Sequence, residues 1–175
     1  MGKKTMISEV LESASKQDSQ EARGKYLRDN YSVALATILK GGFDDSIQWN
    51  LPEGEPPYRK DDAPKGYERS NLHRQFKMFK HFVKGSPTGT PMPSVKREKI
   101  FIGVLEALHA DEAELVLAMK DKKLTGRYKG ITLKLVQDTF PALIKTVAKP
   151  APVVEEKKVI AAKAKPQKKA KTKKP

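Results

Sequence analysis

The chain has 175 residues, a formal net charge of +14, three histidines and no cysteine. This composition excludes disulfide bonds, thiolate zinc sites and cysteine nucleophiles, and so few histidines argue against a metal site. No run of about 18 apolar residues is present and the first residues lack an apolar signal core, so we expect neither a membrane span nor a secretory signal. The length suits one domain with a tail.

The first part of the chain predicts three helices. Residues 6–14 have apolar side chains at helical spacing, and residues 19–30 form a second, more polar helical stretch. Residues 31–39 are apolar enough to be buried, and Gly41-Gly42 is expected to end that helix. Four prolines and two glycines then predict a long loop over residues 50–66, a length usually associated with function or mobility.

Residues 70–84 return to helical spacing with one apolar stripe. Most other positions in this stretch are basic, and Arg74 and Lys77 are the residues that we select from it as candidate contacts to a polyanion. Because the outer face of a helix is usually charged, a solvated surface is an equally good interpretation of this pattern. The stripe consists of Leu72, Phe76, Phe79 and Val83.

The remaining body also reads as helical. Ser94 is a candidate cap for a helix over residues 95–109, and Asp111 with Glu114 has the spacing of a capping box for the next one. A glycine-bounded turn over residues 124–131 leads into a helix over residues 132–139. No useful alternating pattern predicts a strand. We therefore expect an all-α body of six or seven helices over residues 1–144, and a tail over residues 145–175.

The most informative local pattern is the basic turn between residues 120 and 134. Glycines allow a backbone to approach a ligand, and the N–H groups at the start of the following helix carry partial positive charge, so a phosphate would fit there. The simpler interpretation is an ordinary helix corner with solvated lysines. The candidate DNA-binding residues of this turn are Lys122, Lys123, Gly126, Arg127, Lys129, Gly130, Thr132 and Lys134.

The C-terminal 31 residues hold much of the charge. They contain 11 lysines and two glutamates, which is +9 of the net charge, and lack glycine, phenylalanine, tyrosine and tryptophan. Such a composition predicts a disordered tail that binds polyanions with little sequence preference, although it could serve solubility alone. Its candidate contacts are Lys163, Lys165, Lys168, Lys169, Lys171, Lys173 and Lys174.

Catalytic signals are weak. Adjacent carboxylates such as Asp44-Asp45 are more often caps and solvated charges than acid–base pairs, and no phosphate-binding GxxxxGK[ST] loop occurs. Lys60-Asp61-Asp62-Ala63 superficially resembles the Lys-x-Asp-Gly motif of nucleotidyltransferases, but the glycine is missing. We expect no enzymatic activity, no cofactor and no catalytic or metal-ligating residue.

Two stretches carry a family resemblance. One begins with Ile7-Ser8-Glu9-Val10-Leu11 and runs to Trp49-Asn50-Leu51-Pro52; the other runs from Leu115 through Leu124-Thr125-Gly126 to Phe140-Pro141-Ala142-Leu143-Ile144. Together they resemble the N-terminal all-α DNA-binding domain of ATP-dependent DNA ligases of large tailed phages. The closing motif, Val136-x-x-x-Phe140-Pro141-x-Leu143-Ile144, has a spacing two residues longer than in that family.

The resemblance implies a phage protein whose fold grips duplex DNA across the minor groove, mainly through backbone contacts. It does not carry ligation with it, because the lysine motif of the adenylation domain is absent. From it and the charge we expect a non-catalytic, stand-alone, monomeric DNA-binding protein in the cytoplasm of an infected host, associated with the nucleoid. Its sequence preference should be weak, because phosphate contacts position a protein without reading bases.

Three alternatives stay open at this stage. The helices could form an adaptor for a phage replication or transcription protein, with residues 50–66 as the docking segment. RNA binding is allowed by charge alone, although few tyrosines are available to stack on single strands. An enzyme of unknown chemistry is the third.

Overall fold

The computed structural model describes residues 5–65 and 67–144, and within these ranges the protein is helical without a named strand. The chain divides into two units, Met1–Lys145 and Thr146–Pro175, and the fold below belongs to the first. The predicted tail contacts lie outside the described residues. The helices are α1 (Ile7–Ser15), α2 (Gln20–Asp29), α3 (Val33–Phe43), α4 (Leu72–Gln75), a 3₁₀ helix (Phe76–His81), α5 (Ser94–Ala107), α6 (Ala110–Lys120), α7 (Leu124–Arg127) and α8 (Leu133–Thr139).

The all-α prediction is confirmed, and the helix count differs for a local reason. The described residues contain eight α-helices and one 3₁₀ helix instead of six or seven. The stretch 70–84 forms α4 and then the 3₁₀ helix instead of one continuous helix. The predicted turn 124–131 begins with the single-turn helix α7. Helices this short leave too little periodicity for a sequence pattern to reveal them.

Hydroxyl caps fix the starts of three helices. Ser19, Ser32 and Thr132 accept hydrogen bonds from backbone N–H groups three residues later, at 3.1, 3.1 and 3.2 Å. Each bond satisfies a donor that has no partner inside its helix.

The two caps that the sequence predicted are wrong. Pro93 precedes α5 and Ser94 is its first residue, without a side-chain capping bond. The side chain of His109, through Nδ1, accepts from the Asp111 N–H at 3.2 Å and caps α6. Glu114 instead lies one turn further along α6, where it pairs with Arg127 and Lys60.

Gly41-Gly42 lies inside α3, so the prediction that it ends the helix is wrong. A Cβ at Gly41 would come within 2.7 Å of Trp49 Cζ2 and 2.8 Å of Met119 Sδ, and one at Gly42 within 2.1 Å of Leu124 Cδ1. The two glycines therefore allow α6 and its following turn to approach α3 closely. Their role is packing, which the helix-ending preference of glycine concealed.

A single apolar core holds the helices together. Leu11, Leu35, Leu39, Leu105 and Leu115 have no exposed surface, and each such burial stabilises the fold by about 1.5–3 kcal/mol. The core joins α1, α3, α5 and α6 with α8 packed along α2. The basic surfaces described below rest on this core.

A buried carboxylate ties the starts of two helices to α6. Glu112 is fully buried, and its two oxygens accept the N–H groups of Ile7 at 3.1 Å and Leu72 at 2.9 Å. Burial raises the pKa of Glu112, while these two hydrogen bonds act in the opposite direction. Because helix N-termini carry partial positive charge, one side chain satisfies the first turns of both α1 and α4.

The described part of the predicted long loop, residues 50–65, is attached to the body at several points. The Arg59 N–H donates to Glu106 Oε1 at 3.1 Å, and Lys60 Nζ donates to Glu114 Oε1 at 3.3 Å. Leu51 and Tyr58 are partly buried against the core. The prediction of a loop here is confirmed, and its contacts with α5 and α6 hold it against the helices.

Candidate functional site

The 3₁₀ geometry within the basic stretch 74–84 aligns side chains that are three residues apart. A 3₁₀ helix has 3.0 residues per turn, so side chains three residues apart eclipse one another at an axial separation of about 6 Å. Lys77 and Lys80 have this spacing within the 3₁₀ helix, and both are exposed. Arg74, three residues before Lys77, is exposed as well. We call Arg74, Lys77 and Lys80 the basic row.

A neighbouring side of the same segment, about 120° around the helix axis, is apolar with the same period of three. Phe79 and Phe82 are buried and Phe76 is half-buried against the core. The Phe82 and Phe101 rings meet edge to face with centroids 5.3 Å apart. The sequence therefore repeats phenylalanine and lysine every third residue, and this repeat is the signal for a 3₁₀ helix that a search for period 3.6 overlooks.

A short backbone pairing places Trp49 beside the basic row. The Lys84 N–H donates to Gln48 O at 2.8 Å and the Asn50 N–H to Phe82 O at 2.6 Å, forming an antiparallel bridge between Trp49 and Val83. The Trp49 indole N–H donates to Gly41 O at 3.2 Å. Its ring meets Phe79 edge to face, with centroids 6.2 Å apart. The indole is thus fixed between α3 and the 3₁₀ helix.

These elements line a solvent-open groove that we call the Trp49 cavity. Its volume is about 350 Å³, and half-buried apolar side chains contribute much of its wall. Lys40 from α3 stands at its rim with Lys77 and Lys80, and no carboxylate is among the lining residues. The full lining is Thr37, Lys40, Gly41, Ile47, Trp49, Phe76, Lys77, Phe79, Lys80 and Val83.

A second cavity of about 430 Å³ adjoins the first, because Ile47 and Trp49 line both. It is polar and mixed in charge. Its basic residues are Lys84, Lys120, Lys122 and Lys123, and its acidic residues are Asp45, Glu53 and Asp121. The fold thereby brings the start of the predicted 120–134 turn to one side of Trp49 and the predicted basic stretch to the other.

Two lysines of the turn serve the fold. Lys122 Nζ donates to Gly41 O at 2.8 Å and Asp44 O at 2.7 Å, satisfying carbonyls at the end of α3. Burial lowers the pKa of Lys122, opposed by Asp45 and Asp44. Lys120 is almost fully buried and donates to Pro52 O at 2.8 Å and to Asp121. Lys123 is exposed. The ammonium group of Lys122, a predicted DNA contact, is thus engaged by the backbone of α3.

Arg127 is also engaged within the protein. Its Nη1 pairs with Glu114 Oε2 at 2.6 Å, and its Nε donates to the Tyr128 hydroxyl at 3.3 Å. Burial alone would raise the pKa of Glu114, but the hydrogen bonds from Arg127 and Lys60 hold it below its usual value. Arg127 therefore holds α7 against α6 through Glu114, and this pairing competes with the phosphate contact that the sequence suggested.

The two glycines of the turn differ in backbone conformation and in the space around them. Gly130 has φ +82°, and a Cβ there would lie within 2.9 Å of the Arg23 guanidinium, so turn geometry explains this glycine. Gly126 lies in α7, where a Cβ would meet nothing within 4 Å, and nothing in the structure explains its identity.

Two N–H groups near the helix start after the turn have partners within the protein. The Ile131 N–H donates to Tyr128 O at 3.1 Å, and the Thr132 hydroxyl caps α8, a helix of seven residues. The N–H groups of Ile131 and Leu135 are thus engaged within the protein and do not contribute to a phosphate site. Lys129 is exposed, and exposed Lys134 lines a separate cavity between α2 and α8 with Glu21 and Asp138. The eight candidates of the turn are therefore dispersed over several surfaces.

Sequence reasoning omitted part of the basic surface from its candidates. Lys40, Lys80 and Lys84 are exposed, and none forms an ion pair within 4.0 Å with a carboxylate of the described residues. Lys80 and Lys84 continue the basic stretch and could have been selected with Lys77. Lys40 belongs to an apolar helix far away in sequence, and only the fold places it beside them.

The protein is thus an all-α domain with an apolar cavity rimmed by lysines. The chain belongs to DUF6433, a family of unknown function, whose match covers residues 10–126 and so more than half of the chain. No curated protein and no solved structure matches it.

Proposed function

We propose that the protein binds duplex DNA without catalysis, through phosphate contacts from the basic row, Lys40 and Lys84. The observation that carries the proposal is that these five exposed cations have no carboxylate partner within 4.0 Å among the described residues. Exposed cations attract phosphates and release counterions when they bind. The tail lysines would add affinity and raise the association rate.

Weak sequence preference follows from this chemistry. Lysine is a flexible point charge that binds phosphate without the planar fork needed to read a guanine edge. The proposed contacts contain four lysines and one arginine, so they position the protein more than they specify a sequence. The resemblance to ligase DNA-binding domains and the phage setting stay predictions and agree with this mode of binding.

The adaptor alternative receives less support. It relied on residues 50–66 as a free docking segment, but Arg59 and Lys60 are bonded to Glu106 and Glu114 of the body.

Location in the host cytoplasm and association with the nucleoid are part of the DNA-binding proposal. Across residues 5–65 and 67–144, no helix combines the length and apolarity needed to cross a membrane.

A salt titration of duplex binding tests the proposal. For the full chain, log K should fall linearly with log salt concentration, and Lys77→Ala should reduce that slope by roughly 0.9. Lys25→Ala is the matched control, because Lys25 is exposed on α2 and lines none of the cavities described above. A failure to bind duplex DNA at low salt would refute the proposed function. Equal slopes for the two variants would remove Lys77 from the interface.

A further inference from the structure

The Trp49 cavity has features that phosphate binding leaves unused. Four apolar side chains of its lining are only partly buried, and nothing among the described residues covers them. They are Ile47, Trp49, Phe76 and Val83. Lysines at the rim would suffice for a nucleic acid backbone, whose outer surface is charged. An apolar cavity of about 350 Å³ lies within the range of small ligand sites and calls for an apolar group.

Close contacts within the chain hold part of the cavity wall in place. Gly41 lies in its wall, where any Cβ would collide with the indole that the Gly41 carbonyl holds. The indole contacts Phe79, and the 48–50 backbone is bonded to the 82–84 backbone. These contacts form part of the wall within the folded chain, and a preformed wall lowers the entropic cost of binding.

We propose that the Trp49 cavity binds an acidic peptide segment of a partner protein, with one bulky apolar side chain inserted and flanking carboxylates paired with Lys40, Lys77 and Lys80. Charge complementarity selects this occupant, because three lysines and no carboxylate line the cavity. The apolar wall selects a peptide with an anchor residue, in the manner of a hot spot surrounded by a polar rim. A duplex supplies the charge without such an anchor.

This inference goes beyond DNA binding and does not depend on it. The two ligands share Lys40, Lys77 and Lys80, so they would compete for those residues when both are present. The peptide measurements below contain no DNA and the salt titration contains no peptide. Each proposal can therefore fail without the other.

The test uses fluorescence anisotropy with the full chain and three labelled peptides. The first has one phenylalanine between two runs of glutamate, the second has alanine in its place, and the third replaces the glutamates by lysines. The alanine peptide has the same charge as the first and so measures simple attraction to lysines anywhere in the chain. The phenylalanine peptide should bind roughly tenfold tighter than the alanine peptide, and the lysine peptide should bind most weakly.

Substitutions then place the binding in the cavity. Thr37 lines it from α3, so Thr37→Phe should fill it and abolish the preference for phenylalanine, whereas Thr37→Ala should keep that preference. Lys40→Glu should weaken binding of the phenylalanine peptide more than the matched variant Lys25→Glu does. Thermal melts by circular dichroism verify folding, and Val83→Phe replaces Thr37→Phe if the latter is unfolded.

Equal affinities for the phenylalanine and alanine peptides would overturn the proposal and leave the rim lysines to polyanions alone. An undiminished preference in a folded, cavity-filled variant would overturn it as well.

Discussion

The basic row and the 120–134 turn look alike in sequence and differ in how many of their cations have partners within the protein. In the turn, Lys122 is bonded to carbonyls of α3, and Arg127 is paired with Glu114. In the row, Lys77 and Lys80 are exposed, and neither has a carboxylate partner within 4.0 Å among the described residues. Lysine density therefore indicates where charge is located, while only the internal partners decide which charges remain available to a ligand.

The largest expected effect concerns the packing that joins the two regions at Trp49. Gly41→Ala should lower the free energy of unfolding by about 2 kcal/mol, because the new methyl group collides with Trp49 and Met119 in a packed helix interior. The higher helix propensity of alanine offsets only about 1 kcal/mol of the collision. Urea denaturation measures the change, with Gly103→Ala in α5 as the control because a Cβ there meets nothing within 4 Å. A stability equal to that of wild type would contradict this prediction, because it would show that Trp49 and Met119 can move to accommodate the methyl group.

A smaller effect separates Lys122 from Lys77 directly. Lys122→Met keeps the aliphatic chain but removes two hydrogen bonds to the end of α3, and should cost about 1–2 kcal/mol because the site is only partly buried. Lys77→Met should change stability by less than about 0.5 kcal/mol. The same denaturation curves give both values. Equal effects would mean that the turn lysine is as dispensable for folding as the row lysine.

The two glycines of the turn should respond in opposite directions. Gly130→Ala should destabilise the protein by about 1 kcal/mol or more, because φ there is +82° and Arg23 lies against the position. Gly126→Ala lies in a helical turn with open space and should be neutral or slightly stabilising. Thermal melts of the two variants provide the comparison, and a greater destabilisation at Gly126 would contradict the structural explanation of the turn.

The smallest effect on stability is expected at Arg74. Its exposed guanidinium has no hydrogen-bonding partner among the described residues, so Arg74→Ala should leave the melting temperature nearly unchanged while it weakens duplex binding. Arg127→Ala should lower the melting temperature more, because it breaks the ion pair with Glu114. Melting temperature and duplex binding are measured on the same preparations of the two variants. A larger fall in melting temperature for Arg74→Ala than for Arg127→Ala would contradict a binding role for Arg74 and a structural role for Arg127.

The sequence was sufficient for the fold class because apolar spacing in α1, α3 and α6 reports burial directly. It was insufficient wherever a residue type has two uses. Gly41-Gly42 has the composition of a helix end, although the glycines permit close packing inside α3. Glu112 lies next to the proposed capping residue, and no local pattern reveals that it accepts N–H groups from α1 and α4, far away in the chain.

The candidate site was predictable only in part. The basic stretch indicates Arg74 and Lys77, but a helix of period 3.6 was assumed where phenylalanine and lysine repeat every third residue. Lys40 and Trp49 could not be linked to them without the bridge between Trp49 and Val83, because an isolated pair of residues has no strand pattern. The partners of Lys122 and Arg127 lie on other helices, so their internal use was hidden from a local reading.

The most direct test of the account compares two charge reversals of equal size in duplex binding by the full chain. Lys77→Glu/Lys80→Glu alters the basic row. Lys129→Glu/Lys134→Glu alters two exposed lysines of the turn that line neither cavity beside Trp49. We predict that the first pair weakens binding strongly and lowers the salt slope by roughly 0.9 for each phosphate that the variant no longer binds, while the second leaves the slope near that of wild type. Equal slopes in the two variants, or a greater weakening of binding in the turn variant, would contradict the account.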